Sequence, residues 1–185
     1  LITSQKHCAM SDLHIPNLSR HRLVIGLAGF SGSGKTTLAE KLITIITRNG
    51  FHIATIKHAH HAFDADIPGK DSWRHRKAGA SQVLVSSAMR RVKFTETPDA
   101  GEADLNMLLG ELLPSDIVLV EGYKNEPIPK IEIRRSGMEH PPLYLTMPHI
   151  IAVASNTPLN DCPLPCLDLD NPASIADFII ARLPA

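Results

Sequence analysis

Gly29-Phe30-Ser31-Gly32-Ser33-Gly34-Lys35-Thr36-Thr37 decides how the rest of the chain is read. Gly29, Gly34, Lys35 and Thr36 fill the pattern G-x-x-x-x-G-K-[ST], a phosphate-binding loop. Its glycines let successive backbone N–H groups turn inward around an anion. Lys35 reaches the β- and γ-phosphates as a compact charge, and the Thr36 hydroxyl suits Mg²⁺. Ser31, Gly32, Ser33 and Thr37 complete the cradle, and the helix that follows aims its positive end at the same phosphates. The flanks agree with this reading. Leu23-Val24-Ile25-Gly26-Leu27-Ala28 is a short apolar run of the kind a buried parallel strand needs. Leu38, Leu42 and Ile46 fall at helical spacing beside Ala39 and Ile43, and Asn49-Gly50 supplies a stop.

A chain of 185 residues, 43% hydrophobic and 21% charged, is long enough for one domain with a real core. A formal net charge of zero argues against a nucleic-acid partner held by bulk electrostatics. No run is long and apolar enough to span a membrane. Residues 1–22 carry Lys6, Asp12, Arg20 and Arg22 with no apolar block, so a signal peptide is not expected and a cytoplasmic setting is. Cys8, Cys162 and Cys166 form neither a disulfide framework nor a zinc spacing. Residues 1–21 read as an irregular leader, and 22–185 as a single nucleotide-binding domain.

Past the loop helix, Phe51 to Ile56 reads as a second strand. It runs into a polar segment, Lys57 to Ser72, at the strand end where doubly wound sheets bind ligands. Asp64, Asp66 and Asp71 in this segment are candidates to orient water or reach Mg²⁺. His58, His60 and His61 are possible ligands without zinc spacing. Residues 72–78 read as a short helix, 82–86 and 90–95 as a hairpin, and Pro98-Asp99 as the opening of a helix through Leu112. Asp116 to Lys124 is the second informative run: aliphatic residues Ile117 to Val120 end in Glu121, as a strand delivering a carboxylate to a Mg²⁺ shell requires. Ile128 to Arg135 alternates apolar and polar side chains and reads as an edge-type strand. Residues 150–154 form a last core strand ending at Asn156, whose amide is a candidate base reader. Asn171-Pro172 caps a final helix. Strands alternating with helices give an α/β fold: a P-loop NTPase three-layer arrangement, its sheet mostly parallel with antiparallel additions.

In order along the chain stand the phosphate loop, Lys57-His58-Ala59-His60-His61, Pro68-Gly69-Lys70-Asp71-Ser72, Ala78-Gly79-Ala80, Thr95-Glu96-Thr97-Pro98, Val118 to Lys124 with its Glu-Gly-Tyr-Lys, and Ile151 to Ser155. Together, from residue 23 onward, they resemble the molybdopterin-guanine dinucleotide biosynthesis protein B family. The resemblance implies a GTP-binding P-loop protein of molybdenum-cofactor biosynthesis with low GTPase activity. It also implies an adaptor role beside the guanylyltransferase that attaches GMP to molybdopterin, and a homodimer. The guanine preference comes from the resemblance alone, since no Asn-Lys-x-Asp run is present.

Three readings follow. In the first, a GTP–Mg²⁺ accessory protein hydrolyses slowly: the loop and Lys35 hold phosphates, Thr36 and Glu121 the Mg²⁺ environment, and Asp64, Asp66 or Asp71 the attacking water. Arg74 or Arg76, or a partner, supplies positive charge. The second is a small-metabolite kinase or ligase on the same fold. The third is a binding module in which nucleotide orders the 57–72 loop for a partner.

Overall fold

Six buried residues in a row, Leu23 to Ala28, make β1 (Leu23–Ala28) the middle of a parallel sheet. The computed structural model describes residues 15–59, 63–97, 101, 103–138 and 140–184. They divide into two compact units, one of residues up to 58 with those from 105 onward, the other spanning 59–104.

The larger unit holds β1, α1 (Lys35–Arg48), β2 (Ile53–Lys57), β5 (Ile117–Glu121), β6 (Lys130–Arg134), β7 (Ile150–Ser155), β8 (Cys166–Asp168), α3 (Leu105–Glu111) and α4 (Pro172–Ile180). Its sheet runs β2-β5-β1-β6-β7-β8, with every pairing parallel. Alternation assigns residues to faces. Leu23, Ile25 and Leu27 of β1 pack with Leu38, Leu42 and Ile46 of α1 and with Ile175 and Ile179 of α4. Val24, Val118 and Val120 face the other way, onto Leu105 and Leu109 of α3. These are the three expected layers. Leu42 has no exposed surface, and truncating such a side chain costs about 2–5 kcal/mol.

The smaller unit contains α2 (Asp71–Lys77) and an antiparallel pair, β3 (Gln82–Ser86) with β4 (Arg91–Thr95). This pair is the expected antiparallel addition.

Several local expectations differ from what is observed. β6 is not an edge strand; it lies between β1 and β7 with Lys130, Ile131, Glu132 and Ile133 all buried. The alternating pattern misleads because its polar members are satisfied inside. Lys130 Nζ donates to the Glu126 and Ile128 carbonyls, and Glu132 accepts the N–H groups of Leu143 and Tyr144. β8, three residues long, was not anticipated. Within the stretch read as leader, Pro16–Arg20 form a 3-10 turn, and Ile15 is buried among Leu105 and Leu109. The proposed opening of α3 at Pro98-Asp99 lies outside the described residues; the helix itself runs Leu105–Glu111.

Candidate functional site

The loop between β1 and α1 stands at the carboxyl edge of the central strand, where the strand order changes direction and α/β sheets take their ligands. Gly32 and Gly34 hold φ of 78° and 91°, a left-handed conformation that suits glycine. Lys35 Nζ donates to the Gly29 and Phe30 carbonyls, both at 2.9 Å. Its stem thus folds back across the loop and its ammonium lies over the loop's own backbone. Burial lowers the Lys35 pKa, opposed by the Glu121 carboxylate and assisted by the Lys124 and Lys57 charges. Ser33 Oγ is buried and makes no hydrogen bond among the described residues.

Register brings the acid to the loop. Glu121 ends β5 opposite Leu27 of β1 on one side and Lys57 of β2 on the other. The Thr36 hydroxyl donates to Glu121 Oε1 at 3.1 Å and Oε2 at 3.3 Å. Lys57 Nζ donates to Thr36 Oγ1 at 3.3 Å and lies 3.5 Å from Glu121 Oε1. A hydroxyl and a carboxylate, already arranged about a positive charge, are oxygen donors of the kind a hard divalent cation takes. Both residues named for Mg²⁺ in the sequence, Thr36 and Glu121, are therefore in contact. The same residues border a cavity of about 170 Å³ with Glu40, Thr55 and Leu119.

The segment after Glu121 is tightly constrained. Gly122 has φ 100°, and a Cβ there would fall 2.5 Å from His58 Cβ. Tyr123 follows at φ 49°, unusual for a residue with a side chain. Its ring lies 5.3 Å from that of His58. On the other flank of the loop, Phe30 stacks on His140 with ring centres 4.0 Å apart, and Lys124 Nζ sits 5.3 Å from the Phe30 ring. Asn156, at the end of β7, lines a cleft with Ser155, Thr157 and Asp168. Its Oδ1 accepts from Ser136 N–H at 2.8 Å and its Nδ2 donates to Ser136 Oγ at 3.3 Å.

Asp64, Asp66 and Asp71 belong to the smaller unit. Arg76 Nη1 donates to Asp64 Oδ1 at 2.8 Å and to Asp66 Oδ2 at 3.0 Å, and its Nε donates to Glu96. The Arg76 guanidinium holds the Asp64 carboxyl below its usual range. Burial pulls Asp66 upward, but the Ser72 hydroxyl and Arg76 outweigh it, so Asp66 also lies low. Asp71 is largely exposed, 3.9 Å from Arg74. No group of three or more His, Cys, Asp or Glu is placed to hold a metal among the described residues; His60 and His61 lie outside them.

Two contacts escaped the sequence reading. Lys57 was seen as the start of a polar segment, not as the cation on Glu121, because that contact needs the β2–β5 register. Arg135, which in sequence is only the end of the alternating run Ile128 to Arg135, donates from Nε to the Ser33 carbonyl at 3.1 Å.

The chain has counterparts among known proteins. Residues 24–156 match the family described as molybdopterin guanine dinucleotide synthesis protein B. The molybdopterin-guanine dinucleotide biosynthesis adapter protein of Escherichia coli (strain K12) is 45% identical over 160 residues, covering 85% of this chain and 91% of that one. The protein of the same description from Haemophilus influenzae is 43% identical over 156 residues, covering 84% and 86%. The crystal structure of Bacillus subtilis MobB superposes with a TM-score of 0.69 at 25% identity, over 88% of this chain and 99% of that one. The family match over residues 24–156, with 45% identity to the Escherichia coli adapter protein, places the chain in the molybdopterin guanine dinucleotide synthesis protein B (MobB) family.

Proposed function

We propose that this protein is an adapter in molybdopterin guanine dinucleotide biosynthesis that binds GTP with Mg²⁺ at the phosphate loop and works beside the guanylyltransferase. The observation that carries the nucleotide part is the Thr36–Glu121 contact beside Lys35. The adapter part rests on the relatives' descriptions. Loop amides and Lys35 would hold the phosphates, and Thr36 and Glu121 would hold Mg²⁺, which supplies charge neutralisation on the phosphate oxygens when bound. Lys35 would leave the Gly29 and Phe30 carbonyls to do so. Asn156 is the group proposed to read guanine, its Oδ1 keeping the Ser136 N–H bond while its Nδ2 turns from Ser136 Oγ to the base.

Turnover in this reading is slow. A general base works best with a pKa near the operating pH. Asp64 and Asp66 are held the opposite way, below the usual carboxylate range, so they suit orienting a water better than deprotonating it. A homodimer is also proposed. The β3–β4 pair exposes Leu84, Val85 and Val92, and its connecting turn exposes Met89; a two-stranded ribbon is marginal alone.

Competition binding of GTP against ATP, followed by size-exclusion chromatography with the guanylyltransferase with and without Mg²⁺–GTP, tests the reading. A GTP preference and a nucleotide-responsive complex are expected. Equal ATP binding with phosphoryl transfer to a small acceptor would replace it with the kinase alternative.

A further inference from the structure

We infer that Arg135 is a positioning residue of the phosphate loop: it grips the Ser33 carbonyl from outside and thereby fixes the Gly34 N–H toward the bound phosphates. This inference rests on the nucleotide reading above and adds a residue to it.

A single peptide unit links Arg135 to the loop's amides. Arg135 Nε donates to Ser33 O at 3.1 Å. The Ser33–Gly34 peptide is trans, so its C=O and N–H point in opposite directions in one plane. A cationic donor on the carbonyl therefore orients the amide hydrogen the other way and strengthens its dipole. Gly34 is the residue immediately before Lys35, and its amide is one of those an anion in this loop would meet. The guanidinium also packs on Gly34 itself. A Cβ there would stand 2.9 Å from both Arg135 Nε and Nη2. Glycine at 34 suits φ 91°, and a Cβ there would push the Arg135 guanidinium aside.

The segment carrying Arg135 is pinned at each neighbour, as a positioning role requires. Buried Glu132 accepts N–H bonds from Leu143 and Tyr144, both at 2.9 Å, and a 3.1 Å bond from Arg134 Nη1. Arg134 Nη2 holds the His140 carbonyl at 3.0 Å. Ser136 N–H is held by Asn156. The His140 ring then returns to the loop through its stack on Phe30. Arg134 is occupied by this bracing, and Arg76 already serves three carboxylates. Among the described residues, Arg135 is the arginine whose guanidinium touches the loop.

The test measures Mg²⁺–GTP affinity on the full chain for wild type, Lys35→Ala, Arg135→Lys and Arg135→Gln, together with the ¹⁵N–¹H shift of the Gly34 amide before and after nucleotide. Loss of one charge-assisted bond predicts about tenfold weaker binding for Arg135→Gln and a smaller loss for Arg135→Lys, which keeps the charge without the fork. The Gly34 amide should move less on saturation in Arg135→Gln than in wild type, a readout that mere loss of stability does not produce. Binding within twofold of wild type, with an unchanged Gly34 shift, overturns the inference while a Lys35→Ala defect leaves the nucleotide reading standing. No saturable binding to wild type overturns both.

Discussion

Glu121 and Asp66 each meet a hydroxyl and a cation, one in each compact unit, yet the two clusters are built differently. At Glu121 the cation is Lys57, a single ammonium at 3.5 Å on a side chain 58% exposed. At Asp66 it is Arg76, 13% exposed, whose planar fork serves Asp64, Asp66 and Glu96 while lying 5.1 Å from the centre of the Phe94 ring. An exposed ammonium leaves a carboxylate at little cost, because such pairs are worth about 1 kcal/mol or less. A guanidinium bonded to three carboxylates does not leave without stranding them. Rigidity thus distinguishes a cluster able to exchange its cation from one that organises its own unit. Lys130 marks the extreme, a wholly buried ammonium resting on backbone carbonyls.

The largest expected effect tests that extreme. Burial pushes the Lys130 pKa down to about 8. Between this value and the ordinary 10.5 the unfolded chain binds the extra proton, so wild type gains stability as pH rises through that window. Relative to Lys130→Met the gain should approach about 1.4 kcal/mol per pH unit at most. Denaturant titrations from pH 7.5 to 10.5 read it, and parallel curves would remove Lys130 from the titrating groups.

Arg76→Gln comes next. It should lower the melting temperature by roughly 5 °C or more and change the sign of the pH response. With Arg76 present, the lowered carboxyls of Asp64 and Asp66 contribute stability that is present above their unfolded pKa of 3.8 and is lost as pH falls through the folded values. Without it, the crowded carboxylates repel, and acidification from 7 toward 4 should stabilise the variant. A melting curve indifferent to Arg76 would dissolve the contrast between the clusters.

Glu121→Gln should raise the Mg²⁺ concentration for half-maximal nucleotide binding about tenfold while leaving the nucleotide-free melt nearly unchanged. The smallest effect sharpens the comparison most. Lys57→Met removes the ammonium already on Glu121, so the Mg²⁺ midpoint should fall by about threefold. A midpoint that stays put would mean Lys57 and the metal do not share that carboxylate.

What the amino-acid order made legible follows from distance along the chain. The phosphate loop, its strand and its helix lie within residues 23–48 and carry local signals. Glu121 was legible because four aliphatic residues precede it. Its contact with Lys57, 64 positions earlier in the sequence, depends on which strands pair, and no local pattern encodes that. The bond from Arg135 to Ser33 spans 102 positions. The run holding Lys130 and Glu132 reads as an edge-type strand because alternation reports side-chain polarity, whereas their burial is permitted by carbonyls and amides of connecting loops. The three aspartates were visible as acids. The guanidinium that holds two of them was visible only as a possible phosphate contact.

The central claim is that the Lys35–Thr36–Glu121 constellation takes a triphosphate with its metal. The direct measurement is calorimetric binding of GTP over a Mg²⁺ titration, on wild type and Lys35→Ala, with the nucleotide-free melt of each recorded alongside. Saturable, Mg²⁺-dependent binding to wild type is predicted, weakened by roughly a hundredfold in Lys35→Ala with the melt nearly unchanged. Affinity indifferent to Lys35, or a Lys35→Ala protein that melts early without nucleotide, would contradict it.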